Sequence, residues 1–417
     1  MKKQKRFIVL CCLLYAFAWV GKYHYIANII PIMEYYNVTR AQAGLVGTVF
    51  FASYGIFQML HACFCKFYPK RETIFGSLLA SSVIDLILFF RPPFQSILVL
   101  TLLNGFVQAP LWPMLLLTLG KTLDEKMMNA AVLAMSFSTL LGNILIYGGS
   151  ALFNLWNVFH LIFLFGTILM LSVGAVWFFS YRTLTKDRAE QELANSSQTA
   201  PSPETTSRTP VSAAIIGLLI ICTLLMIPAN FIKNGLTTWT PNILKESFGF
   251  GNSISIVLAL FFSAFGMLGS WVAVQTHKRI SDYCSLVGVF FLLLTVCCGG
   301  TIPILRESAL IPFLIFIVCI AVLAAAIQSL LTSVMPLAMR DQVNSGFLTG
   351  LMNSAACLGG AASTYGMGLL ADGGGWDAVF RILLITSAIS TVSAGVAVVF
   401  RLIHAHQEKR IEKTVSE

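Results

Sequence analysis

Two lysines stand where a charge is costly. Lys22 and Lys233 each fall inside a long apolar stretch, one in either half of the 417-residue chain. A charged side chain at bilayer depth costs ~2.5–3.5 kcal/mol on insertion scales. Each could snorkel to the membrane surface, but their duplicate placement argues for a shared task. Facing one another across the interface between the halves, they would present two positive charges to a low-dielectric cavity, where an anion is held strongly. An ammonium is a compact, rotatable point charge, unlike the planar fork of a guanidinium. A site built from it is tolerant of anion shape, so carboxylates, sulfonates and phosphate esters all fit.

Around them lie groups able to hydrogen-bond or stack on a solute, or to hold helices together: Tyr23, Tyr25, Tyr54, Gln58, Gln108, Trp112, Asn234 and Asn353. His24 follows Lys22 by two residues, so the two do not share a helix face. It is expected either to respond to protonation beside a cavity or to keep a polar tip at the interface. Asp85 is the acid deepest within a span; it suits a coupling proton or a structural partner equally. The 10 Cys are scattered through apolar stretches without metal spacing and read as small apolar residues. The sequence has no phosphate-binding loop, zinc motif or nucleophile elbow. It therefore predicts neither metal nor cofactor, no ATP-driven step, and no enzyme, since the loops are too short to house catalytic groups.

The elements that position these residues follow from composition. Hydrophobic residues make up 57% and charged ones 11%, against about 25% charged in a soluble protein. That excludes a soluble enzyme, a disordered chain and a nucleic-acid-binding domain. Twelve stretches are long and apolar enough to span a bilayer: 7–33, 41–65, 73–91, 96–120, 127–150, 156–180, 212–236, 252–275, 284–304, 309–336, 345–371 and 377–403. The first runs past the length of a signal-peptide core and is expected to be retained. Of the 27 Lys and Arg, Arg40, Arg91, Lys245, Arg306 and Arg381 fall on one side, Lys22 and Lys233 lie within spans, and the remaining 20 fall on the other side. This bias predicts a multi-pass protein of the cytoplasmic membrane with both termini in the cytoplasm. The polar stretch from Tyr181 to Pro210 reads as a flexible cytoplasmic linker. It divides the chain into bundles of six helices at 1–180 and 212–404, with a linker at 181–211 and a tail at 405–417.

The halves repeat one another. Gly21-Lys22-Tyr23-His24 before Pro31 corresponds to Lys233-Asn234-Gly235 before Pro241, and Ala52-Ser53-Tyr54-Gly55 to Ser263-Ala264-Phe265-Gly266. Duplicated six-helix units are how many secondary transporters are built, with substrate bound near the midplane. The sequence resembles the major facilitator superfamily and, within it, the organophosphate:phosphate antiporters, which carry glycerol 3-phosphate and hexose phosphates. The resemblance spans nearly the whole chain outside the tails and the central linker. It is carried by Gly105-Phe106-Val107-Gln108 through Leu111-Trp112-Pro113, by Lys233-Asn234-Gly235 through Trp239-Thr240-Pro241 and Leu244-Lys245-Glu246, and by Gly346 to Gly350, Leu358-Gly359-Gly360 and Gly375-Trp376-Asp377. The family's paired substrate arginines are replaced here. Lys233 stands at one position, and Lys22 within one residue of the other, where counting back from Pro31 puts Tyr23. The family's second-helix lysine is Gln58, its fifth-helix histidine is Thr139, and its Asp-Arg loop has become Cys65-Lys66-Phe67-Tyr68-Pro69-Lys70-Arg71 without the acid.

The expectation is an all-α membrane protein of twelve helices in two pseudo-symmetric bundles, working as a monomer by alternating access. Its substrate would be a small organic anion, moved by antiport or proton symport. The substrate-binding candidates are Lys22, Lys233, Tyr23, His24, Tyr54, Gln58, Gln108, Trp112, Asn234 and Asn353; His24 and Asp85 are the coupling candidates. Other classes remain open: a transporter-like sensor, to which the altered Cys65–Arg71 loop lends weight, and a multidrug exporter, which would need an acid such as Asp85 in a large apolar cavity.

Overall fold

The computed structural model describes residues 2–64, 67–196, 213–280, 282–339, 342–343 and 345–416. Among these there is no strand. Without water at bilayer depth, each backbone N–H and C=O must be satisfied within its own segment, and a helix does that. Ten of the helices are long and apolar enough to cross a membrane. The last of them, 347–402, has 56 residues, about 84 Å at ~1.5 Å per residue, enough for two crossings. It bends at Gly375, whose φ of 67° and ψ of −172° suit a residue without Cβ. With this second crossing and the further helix Glu125–Leu155, the described residues reach the twelve spans read from sequence.

Helices α1 (Lys2–Ala27) and α2 (Ile29–Tyr36) form the first span, α3 (Arg40–Phe64) the second and α4 (Lys70–Phe89) the third. Then come α5 (Phe94–Gln108), α6 (Leu111–Thr122), α7 (Glu125–Leu155) and α8 (Leu161–Ser196). The second half holds α9 (Ala213–Phe248), α10 (Asn252–Gly266), α11 (Leu268–Arg279), α12 (Tyr283–Arg306), α13 (Leu310–Ser329), a π-turn at Leu330–Val334, α14 (Met335–Ala338) and α15 (Ser345–Ser416). The polar stretch expected to be a linker from Tyr181 is instead helical through Ser196. The run Arg182–Asn195 is rich in Ala, Glu, Gln, Leu and Arg, all good helix formers. The rest of that stretch, from 197 on, lies outside the described residues, as do Cys65 and Lys66.

Proline sets the breaks. Pro31 has no N–H for the Ala27 carbonyl, and the backbone gives way between α1 and α2. There the Asn28 N–H donates to Tyr25 O at 3.1 Å, while its side chain takes over the carbonyl of His24, also at 3.1 Å. Pro110 likewise separates α5 from α6, leaving Gln108 as the last residue of α5.

The chain divides into two compact units. One comprises residues 1–36, 52–207 and 252–260; the other comprises 37–51, 208–251 and 261–417. The first has a buried core including Phe7, Leu14, Ile74, Leu78, Met114, Leu115 and Trp177. In the second, helices approach through glycine: a Cβ on Gly359 would lie 2.2 Å from the carbonyl oxygen of Ile227. The division does not follow the sequence halves, because α3 gives its first three turns to the second unit.

Arg40, at the start of α3, anchors that portion within the second unit. Its guanidinium donates two hydrogen bonds to Glu246, at 3.1 and 2.8 Å, and one to Asp372 at 3.0 Å, and its backbone N–H donates to Asp372 at 3.3 Å. Asp372 also accepts from the Ala41 N–H at 2.8 Å, satisfying a first-turn donor that the helix itself leaves unpaired. The indole of Trp376 donates to Glu246 at 2.8 Å. These carboxylates are a quarter to a third exposed, which screens the pairs. Arg40→Gln should therefore destabilise the purified protein by ~1 kcal/mol. Combined with Glu246→Gln, its effect should be clearly less than additive, because the two residues share one set of bonds. Additive losses in a double-mutant melting series would show that the cluster does not act as a unit.

Candidate functional site

In the first unit the candidate site is built on α1. Positions 15, 19, 22 and 23 recur at helical spacing and put Tyr15, Trp19, Lys22 and Tyr23 on adjoining faces. The Lys22 ammonium lies 3.7 Å from the centre of the Tyr54 ring, 5.3 Å from that of Trp19 and 5.7 Å from that of Tyr23. Aromatic faces attract a cation, the more so when it is desolvated. The rings are fixed in turn. Trp19 packs at a tilt on Tyr23 at 4.6 Å and donates to Asn143 Oδ1 at 2.8 Å, and Tyr15 packs on Trp112 at 4.7 Å. Tyr15, Ala18, Trp19, Lys22, Tyr54, Gln108 and Leu111 line a narrow cleft.

Polar groups extend from this cleft into the unit. Gln58 donates to the Tyr54 hydroxyl at 3.4 Å. Gln108 donates to Ser81 Oγ at 2.8 Å, Ser81 to Asn104 Oδ1 at 2.6 Å, and Asn104 to the Gly21 carbonyl at 2.9 Å. The sequence candidates Lys22, Tyr23, Tyr54, Gln58 and Gln108 thus meet, with Trp112 behind Tyr15. His24, two residues on, turns to another face. It is buried, with Nε2 3.6 Å from Asp85 Oδ1 on α4 and its ring against Phe163 at 4.8 Å. Tyr25 is buried as well.

In the second unit Lys233 lies midway along α9, five residues after Pro228. Its Nζ donates to Oε1 of Gln328 on α13 at 2.5 Å. Asn234 beside it is half-buried, and a Cβ on Gly360 would meet its Nδ2 at 2.9 Å. Asn353, on α15, is half-buried too. Chemically, each unit supplies one ammonium: that of Lys22 over aromatic faces and that of Lys233 on a neutral amide. Among the described residues no group of His, Cys, Asp and Glu could hold a metal ion.

Sequence reasoning missed three participants. Gln328 is the single amide in the very apolar stretch of α13, and an intramembrane amide marks a bonding partner. Trp19 precedes Lys22 by three residues, the i,i+3 spacing of helical neighbours. Arg40 was counted only as a surface charge, and nothing local in the sequence reveals its carboxylate partners more than 200 positions away.

No curated sequence matches the chain. Its fold is similar to that of a bacterial homolog of the human lysosomal transporter Spinster, solved inward-facing and occupied, with TM-score 0.67 and 13% identity over 97% of both chains. It is also similar to a D-xylose-proton symporter, with TM-score 0.71 and 12% identity over 94% of this chain and 97% of that one. Identities this low carry the fold and nothing finer. The sequence model described as Major Facilitator Superfamily matches residues 10–364, most of the chain, and the protein belongs to that superfamily.

Proposed function

We propose that this protein is a secondary active transporter of a small organic anion: a phosphate ester, a phosphonate or a carboxylate. In this reading it resides in the cytoplasmic membrane with both termini in the cytoplasm, and works by alternating access. Lys22 and Lys233, one from each half, take hold of the anion. Tyr23, Tyr54, Gln58, Gln108, Trp112, Asn234 and Asn353 orient it, and the load is driven by exchange or by an accompanying ion. The observation that carries the reading is the setting of the two lysines. Lys22 lies against aromatic rings and Lys233 donates to a neutral amide, each within a long apolar helix, where a charged group is costly and marks a functional site. The resemblance of the segments around Gln108–Pro113 and Lys233–Glu246 to those of the organophosphate:phosphate antiporters supports an anionic substrate.

The test is a thermal-shift panel of phosphate esters, phosphonates and carboxylates on the purified full chain, followed by uptake of the stabilising solute into proteoliposomes. A ligand at 100 times its Kd should stabilise the fold by about 2.7 kcal/mol, and the same solute should then accumulate. Stabilisation by neutral solutes alone would overturn the anion assignment. Binding without accumulation would make the protein a sensor.

A further inference from the structure

The most demanding feature of the first unit is a pair of buried ionisable groups away from the lysine cleft. Asp85 is fully buried, His24 is nearly so, and they approach to 3.6 Å. Neither Asp85 oxygen has a hydrogen-bond partner among the described residues, and the imidazole of His24 reaches back to the carbonyls of Val20 and Gly21 on its own helix. The surroundings are apolar: Phe163 packs on the imidazole at 4.8 Å, and Gly166 leaves room for the carboxylate, since a Cβ there would lie 2.8 Å from Asp85 Oδ2. Buried polar atoms are satisfied in the great majority of native sites, and exceptions call for a functional reason.

We infer that His24 and Asp85 together form one proton-binding site, and that the proton they hold travels with the anion; this rests on the reading of Lys22 as an anion contact. With one proton the pair is neutral overall, whether as imidazole and carboxylic acid or as imidazolium and carboxylate. Without it, a bare carboxylate is left at bilayer depth, the costliest state available to the pair. Only an N–H or O–H bond to the pair forms or breaks, and the proton is exchanged with water.

The neighbouring charges give this site its coupling. On α1 the other titratable groups of the apolar stretch are Cys11, Cys12, Tyr15, Lys22, Tyr23 and Tyr25; α7 adds Tyr147. Neither α5 nor the apolar part of α8 carries one, and α4 beyond Glu72 carries only Asp85. Arg91 and His160 stand beyond the ends of α4 and α8. Within the apolar stretches of these elements, among the described residues, Lys22, two residues from His24, is the other side chain with a formal charge. While Lys22 is unliganded, its positive charge compensates the deprotonated pair. An anion on Lys22 cancels that compensation, so the pair retains its proton as long as the anion stays bound. A polar route joins the two places: Gln108, at the cleft, bonds to Ser81, which precedes Asp85 by one helical turn.

Two measurements on the purified full chain in lipid test this. In a pH titration followed by infrared difference spectroscopy, wild type should show one carboxylic-acid C=O band that disappears on deprotonation. The band should be absent in Asp85→Asn and shifted in His24→Gln, which keeps the proposal testable if the first variant folds poorly. Absence of any titrating band lost with Asp85 overturns the site. In weakly buffered solution with a pH dye, glycerol 3-phosphate or inorganic phosphate should draw up to about one proton per anion bound in wild type and close to none in Asp85→Asn. Anion stabilisation without proton uptake would sink the coupling while leaving the anion reading intact. Stabilisation by neither probe nor any other anion would sink the anion reading, and the infrared band alone would then decide the proton site.

Discussion

Lys233→Ala will reduce anion uptake into proteoliposomes by about 30-fold or more, and Lys22→Ala will do the same. Truncating one partner of a buried charged contact costs ~2–5 kcal/mol, and each 1.4 kcal/mol is about tenfold. The loss falls on binding as well as rate, so the thermal shift produced by the anion should vanish with it. For Lys233→Ala the amide oxygen of Gln328 also loses its donor at 2.5 Å, which adds a stability cost in the empty protein. Lys22→Arg should keep a cation over Tyr54 and retain part of the activity, with preference moving towards anions that accept two parallel hydrogen bonds. Normal uptake in both alanine variants would dismiss the lysines as substrate contacts.

The second large effect is structural. Gly359→Leu should prevent α15 from seating on α9, because even the first atom of a side chain would stand 2.2 Å from the Ile227 carbonyl oxygen and 3.0 Å from the Phe231 nitrogen. Both obstacles are backbone, so no rotamer change relieves them. The helices must separate, and the closely packed surface around Phe231 and Asn234 goes with them. Overpacking a tight core costs typically ~1–3 kcal/mol and more where nothing can move. The expected result is little monodisperse protein from Gly359→Leu and a sharply lowered melting temperature for Gly359→Ala. Gly350→Ala is the comparison, since nothing lies within 4 Å of its added Cβ. Equal melting temperatures for Gly359→Ala and Gly350→Ala would show that the contact gives way easily.

Much of the architecture was legible because a membrane chain states its elements through long apolar stretches, and helices are the open-ended form that satisfies the backbone there. The breaks at Pro31 and Pro110 were not legible, since both prolines were read as lying inside the continuous stretches 7–33 and 96–120. The extent of α8 was not legible: polarity from Tyr181 onward signalled an exit from the membrane, and that was read as an end of helix. Spacing placed His24 on a different face from Lys22, yet only three dimensions paired it with Asp85, which lies on another helix with no local cue linking them. Gln328 was hidden for the opposite reason. A single amide in α13 looks like packing until Lys233 is found beside it.

The share of α3 that belongs with the second unit has a consequence for dissecting this protein into fragments. A polypeptide cut in the stretch between α8 and α9 would separate Arg40 from Glu246 and Asp372, and Gly44 from the Thr364 carbonyl against which it rests. The later fragment made alone would carry two carboxylates without their guanidinium and an open furrow along α15. Such pieces should be recoverable only when produced together in the same cell, each lending the other a strip of surface it was made to wrap.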